Sequence, residues 1–225
     1  MEEFENNDSN VIQESVVSKT IQKTFLWMFL GLFATGLISF VAYKSNILLQ
    51  LEFYDIFPII MIVEIVVVLL FNFLFRKLPS TVVAILYFVY AIITGVSLAC
   101  IYYIYPTSGI LYSFFISAIY FGVLAFVGYK TDKDLTKLGT LLLVALLVCV
   151  IVSIINLFIG LEFIDTIIDW IVLLIFTGIT AYDIRRVKYF AIDDEKAHIY
   201  GAMQLYLDFI NIFLRILRLF AKRKK

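Results

Sequence analysis

The sequence predicts an all-α membrane protein, a bundle of seven transmembrane helices with the C-terminal helix at its centre. Three observations predict it. The 225 residues are 63% hydrophobic with a mean hydropathy of +0.99, far above the roughly 45–50% apolar content of soluble domains. Apolar runs long enough to cross a hydrocarbon core of about 30 Å recur seven times. The last run carries a stripe of polar and charged side chains that lipid would not tolerate.

The runs are Phe25–Tyr43, Ile56–Phe75, Thr81–Ile104, Gly109–Tyr129, Leu138–Gly160, Phe163–Asp183 and Tyr200–Ala221. They lack the period-2 alternation of barrel strands, so each must satisfy its backbone amides as a helix. Residues 1–24 form a polar, cytoplasmic tail without the basic n-region and cleavage site of a secretory signal, and the first run is expected to stay as an anchor. Residues 25–221 are one transmembrane domain, and 222–225 a basic tail. Breaks fall at Pro79-Ser80, at Pro106-Thr107-Ser108-Gly109 and at Asp193-Asp194, where turn residues cluster. None is long enough for a separate folded domain, so any activity lies in or beside the bilayer.

Charge sets the expected orientation. Lys19, Lys23, Arg76, Lys77, Lys130, Lys133, Lys137, Arg185, Arg186, Lys188 and Lys196 collect on one side, and only Lys44 lies in the loops opposite. The positive-inside rule then makes the N-terminus cytoplasmic. Seven crossings place Lys222-Arg223-Lys224-Lys225 on the far side, against that rule, unless the seventh segment fails to span. The compact size and missing signal suit a bacterial plasma membrane. The 18 basic and 18 acidic residues cancel, so no net field argues for nucleic acid. Cys100 and Cys149 each lie inside an apolar run, as packed thiols do. His198, the one histidine, follows an acidic cluster at 193–195 and is expected in a solvated loop.

Ionisable groups inside spans cost roughly 2.5–3.5 kcal/mol each and need a partner or a wet cavity. Glu64 lies midway along the second run, Arg76 at its end, Asp183 at the end of the sixth, and Asp208, Arg215 and Arg218 along the seventh. At 100° per residue, Gln204, Asp208, Asn211, Arg215, Arg218 and Lys222 project within about 80° of one another. Such a stripe places the seventh helix against others, at the bundle centre; the alternative is an amphipathic helix lying flat on the surface.

The rise per residue puts Arg76, Asp183 and Asp208 at one depth, and Glu64 with Arg218 at a second depth about 15–18 Å away. Two aspartates within hydrogen-bond reach in a low dielectric share a proton and titrate as a pair, a pH sensor. The plainer reading of Asp183 is a water-facing residue beside Arg185 and Arg186.

The strings FTGITAYDIRRVK at 176–188 and GAMQLYLDFINIFLRILRLF at 201–220 closely resemble the two signature segments of the Bax inhibitor-1 family. The resemblance implies a C-terminal helix surrounded by two three-helix layers. It implies, as in bacterial members, a di-aspartyl gate of a pH-sensitive calcium leak, here Asp183 and Asp208, latched by Arg76. It also implies an outer ionic pair, Glu64 with Arg218. Where the family often has Tyr-Asp-Thr-Gln, this chain has Tyr182-Asp183-Ile184-Arg185, extra positive charge that opposes cation entry.

Three function classes are open to such a chain. In a passive cation leak, calcium is the expected ion, held weakly by oxygens of Asp183, Asp208 and Asn211. A non-transporting regulator would bind another membrane protein, such as a protease or a cell-death factor, as other branches of the resembled family do. An intramembrane aspartyl protease would need a Gly-x-Gly-Asp string that is absent, so no enzyme and no resident cofactor are expected.

Overall fold

A computed structural model of the chain describes the backbone of residues 2–50, 53–131, 133–190 and 196–224, with side chains described from Ser15 onward apart from 49–50, 53–58, 61 and 190. Among them are seven long helices and no strand. These are α1 (Glu2–Lys44), α2 (Phe53–Leu74), α3 (Ser80–Leu98), α4 (Thr107–Lys130), α5 (Thr136–Ile159), α6 (Glu162–Phe190) and α7 (Ala197–Phe220). One-turn helices at Ile47–Gln50 and Ile101–Ile104 follow α1 and α3. Five segments are long and apolar enough to cross a membrane: Ser15–Lys44, Ser80–Ile104, Thr107–Lys130, Thr136–Ile159 and Glu162–Tyr189.

Each apolar run read in the sequence falls within one long helix, extended at α3 by the one-turn helix, or overruns its end by one residue. The differences lie at the ends. Helix α1 begins at Glu2 rather than near Phe25, because the polar tail holds neither proline nor glycine and continues the same helix. Pro79 precedes α3 with φ −58°, and Gly160 ends α5 in the left-handed region at φ 76°, donating its amide to the Asn156 carbonyl at 2.7 Å. The expected turn at Asp193-Asp194 lies outside the described residues.

The chain divides into two compact units. The first comprises Met1–Pro106, Ala191–Tyr206 and Arg223–Lys225, and the second Thr107–Phe190 and Leu207–Lys222. Helix α7 thus supplies its first ten residues to one unit and the rest to the other.

In the first unit, α1 and α3 approach closely because glycines face the neighbour. A Cβ on Gly95 would lie 2.9 Å from the Thr35 carbonyl oxygen, and one on Gly31 would collide with the Tyr87 hydroxyl, which bonds the Trp27 carbonyl at 2.8 Å. Lys196 seals the end of α2, donating to the carbonyls of Phe75, Arg76 and Leu78 at 3.1 Å each. At its other end the C-terminal tail meets the end of α3, where the Lys224 amide bonds the Ile104 carbonyl at 2.8 Å and Nζ the Tyr102 carbonyl at 2.6 Å. Within this unit Lys196 and Lys224 thus lie near the start and beyond the end of α3, at its opposite ends; α7 itself has 24 residues, about 36 Å at 1.5 Å per residue. Its side chains are buried over most of their length, which is incompatible with a helix lying flat on a surface.

In the second unit, α6 lies against α4 and α5. Helix α5 turns nearly all its large aliphatic side chains outward, Phe158 being 85% exposed. Apolar area on that scale requires a lipid surround.

His198 lies in the first turn of α7, edge-on to Trp27 with ring centroids 5.9 Å apart. It is not a solvated loop residue: the helix starts at Ala197, three residues before the Tyr200 expected from the sequence, and carries the ring against Trp27.

Candidate functional site: an aspartate pair and an arginine clasp

Helix α6 is fixed near Asp183 by unusually close packing. A Cβ on Gly128 of α4 would lie 2.8 Å from the Ala181 carbonyl oxygen, and one on Gly139 of α5 2.9 Å from the Tyr182 ring. Where backbones or rings approach this closely, only glycine fits. Ala181, Tyr182 and hence Asp183 have little freedom.

Asp183 and Asp208 both belong to the second unit and are buried, at 6% and 3% exposure. Their charges act on one another, and the Thr180 side chain, one turn before Asp183, also reaches Asp208. Oδ2 of Asp208 and the Thr180 hydroxyl are buried without a hydrogen-bond partner among the described residues. An oxygen in that condition is a place for a proton, a water or a cation. Arg186, three residues along α6, is close enough for its charge to act on Asp183.

Beyond the pair, towards the α4–α5 break, the charges are tied up locally. Arg185 lies 3.5 Å from Asp134 and donates to the Tyr189 hydroxyl at 2.8 Å, while Lys188 donates to the Tyr129 carbonyl at 2.8 Å. Asp134 itself accepts from the amide and hydroxyl of Thr136 at 3.0 and 2.7 Å. Those bonds, with a smaller contribution from Arg185, hold its carboxyl below the usual carboxylate range.

In the opposite direction buried apolar side chains follow on both helices, Val172, Phe176 and Ile179 on α6 and Ile212 on α7, while Phe209 and Phe213 pack against phenylalanines of α4. Past them lies a second polar layer: Asp169, 5% exposed, accepts from Arg215 at 2.5 Å and from Arg218 on the same oxygen. Asp165, one turn before it, adds a further negative charge and accepts from Asn156 of α5 at 2.8 Å.

The remaining predicted residues fall as follows. Arg218, assigned in the sequence to Glu64, makes its ion pair with Asp169, which projects from α6 within reach of the same face of α7. Glu64 belongs to the first unit and accepts from the Ser97 hydroxyl at 2.8 Å. Arg76 lies at the exposed end of α2 in that unit, its guanidinium over the Phe75 ring at 5.9 Å. The stripe of α7 is divided among partners: Gln204 donates to Asn72 of α2 at 3.0 Å, and Asn211 to the Leu207 carbonyl of its own helix at 2.8 Å. Cys100 and Cys149 are free thiols, the first half-buried and the second buried. No group of three or more His, Cys, Asp or Glu side chains converges among the described residues.

A family profile described as inhibitor of apoptosis-promoting Bax1 matches residues 17–225. The chain belongs to the Bax inhibitor-1 family. Relatives of this family extend over its whole length. It is 31% identical to the inner membrane protein YbhL of Escherichia coli over the full length of both chains. It is 33% identical to the uncharacterized protein RP147 of Rickettsia prowazekii, covering 90% of this chain and 89% of that one. An uncharacterized protein of Deinococcus radiodurans is 30% identical over 88% of this chain and 87% of its own length. Like the rest of this Bax inhibitor-1 family, the protein is an integral, multi-pass membrane protein.

Sequence reading passed over Asp169 and Thr180. Asp169 was legible in principle, since two arginines inside a span require acidic partners and this carboxylate lies within the sixth run. Thr180 had no such signal: a threonine in a helix most often bonds its own backbone.

Proposed function

We propose that the protein is a pH-sensitive passive cation pathway, a calcium leak, gated by Asp183 and Asp208. The observation that carries this reading is two carboxylates from different helices, buried in one unit of a membrane protein within electrostatic reach of each other, one with an unpartnered oxygen. A pair so placed is favoured with a single shared proton. Loss of that proton leaves two adjacent anions in a poor dielectric, which favours either separation of the carboxylates or entry of a compensating cation.

Val172, Phe176 and Ile179, buried on α6 between Asp169 and Asp183, suit a closed state, because a dry apolar stretch opposes ion passage. Calcium fits the all-oxygen donors, and two carboxylates with Asn211 give few ligands, so binding is weak and release fast. Arg76 is proposed as a latch that engages the pair when one carboxylate ionises. The reading assigns no catalytic step and no resident cofactor. The basic clusters at Lys19, Lys23, Arg76 and Lys77 support a cytoplasmic N-terminus, and the E. coli relative's name supports a bacterial inner membrane.

The test is flux of calcium, potassium and protons from proteoliposomes of purified protein across pH 6 to 8. Wild type is expected to pass calcium with a rate that changes with pH, and Asp208→Asn to lose that change. Pathway function is contradicted by absence of flux; capture of one stoichiometric membrane-protein partner would then select a non-transporting regulator.

A further inference from the structure

The second polar layer lies at the opposite end of the α6–α7 contact from the aspartate pair, and its geometry constrains that pair. Asp169 precedes Asp183 by 14 residues on α6, about 21 Å of rise. Arg215 and Arg218, both on Asp169, follow Asp208 by seven and ten residues on α7, about 10–15 Å. The difference from about 21 Å is within the reach of the paired side chains and leaves Asp208 near the level of Asp183. Sliding α7 by one turn, about 5.4 Å, would remove Arg218 from Asp169 or Asp208 from Asp183.

The buried side chains along α6 and α7 between the two levels, Val172, Phe176, Ile179 and Ile212 among them, are apolar, and their attraction is non-directional; Phe209 and Phe213 pack against α4. The ion pairs are directional. Arg215 and Arg218, three residues apart, share one face of α7 and converge on one oxygen of Asp169. Asp165 supplies a second negative charge to balance the second guanidinium, and Asn156 ties it to α5. Sliding would leave the buried Asp169 carboxylate without its cations, so the arrangement resists sliding.

We propose that Asp169, clasped by Arg215 and Arg218, is a positioning residue that sets the register of α7 along α6 and so holds Asp208 level with Asp183. This rests on the reading of the aspartates as the gate and adds what aligns them. The charged and titratable groups around the pair are Arg186 on α6, Arg185 held by Asp134 and Tyr189, Lys188 on the Tyr129 carbonyl, and Tyr182 against Gly139. None of these touches Asp169, so a change at Asp169 reaches the pair through helix position.

The experiment is an infrared titration of the protonated-carboxyl band in full-length protein in vesicles, the band assigned to the pair by its loss in Asp208→Asn. Asp169→Asn is expected to move the midpoint by a pH unit or more, a roughly tenfold change in proton affinity, and Asp169→Glu to return it close to wild type. An unchanged midpoint in a helical Asp169→Asn protein, or failure of Asp169→Glu to restore it, overturns the proposal. Should Asp169→Asn not fold, Arg218→Gln retains the Arg215 bond and is expected to give a smaller shift; no shift there overturns it equally. Flux is read separately: a pair that responds to Asp169 in a protein that passes no calcium supports this inference and contradicts the leak.

Discussion

At the scale of single residues, the site is defined by what its polar atoms lack. Most intramembrane polar groups here are satisfied close to home: Ser117 bonds the Ser113 carbonyl at 2.7 Å, and Thr35 meets both the Ala91 carbonyl and the Tyr206 hydroxyl. The hydroxyls of Ser39, Thr94 and Tyr103 and Nε of Arg215 are buried without such a partner among the described residues, as are Oδ2 of Asp208 and the Thr180 hydroxyl, but only the Asp208 atom belongs to a carboxylate. Thr180→Val removes one of these two and should alter the pH response of flux without unfolding the chain; an unaltered response would show that the hydroxyl has no part in the gate. Asp134, outside the membrane, behaves in the ordinary way. A carboxylate held below its unfolded value favours the folded arrangement above about pH 4, and that contribution is lost as pH falls through the folded value. Thr136→Val should raise the Asp134 midpoint, read from its carboxyl resonance by NMR; an unmoved midpoint would remove Thr136 as the cause.

At the scale of helices, two kinds of contact divide the work. Pairs α1–α3, α4–α6 and α5–α6 approach closely through Gly95, Gly128 and Gly139. Helix α7 is seated by long side chains, with Phe209 against Phe114 and Phe121 at ring-centroid distances of 5.5 and 5.6 Å. Side-chain seating permits small shifts that backbone contact forbids, which suits α7 as the moving part and α6 as the fixed one. Gly128→Leu should therefore cost about 1–3 kcal/mol through overpacking against Ala181, seen as a lowered melting temperature; unchanged melting would show α4 and α6 to be loosely packed. The existence and approximate ends of these helices were legible from run length, and Asp183 and Asp208 from the cost of charge in lipid. The partner of Arg218 was not legible. Rise along a helix fixes depth but not which neighbouring helix supplies the opposite charge, and Glu64 and Asp169 were both at a plausible level.

At the scale of the whole molecule, Lys196 at the end of α2 and Lys224 at the end of α3 mark the two ends of α7. Within the first unit Lys224 lies over the Tyr43 ring at 5.9 Å, beside Lys44, at the opposite end of α3 from Lys196, which places it on the side of Lys44, as a spanning α7 requires. Reporter fusions should accordingly place the N- and C-termini on opposite sides of the membrane; both on one side would contradict a spanning α7. The central claim is that Asp183 and Asp208 act as one titrating unit, and a mutant cycle on calcium flux across pH tests it most directly. Asp183→Asn, Asp208→Asn and the double variant are predicted to show the same pH-independent flux, since removing either partner abolishes the shared proton. Full pH dependence surviving in either single variant, or losses that simply add in the double, would contradict the account.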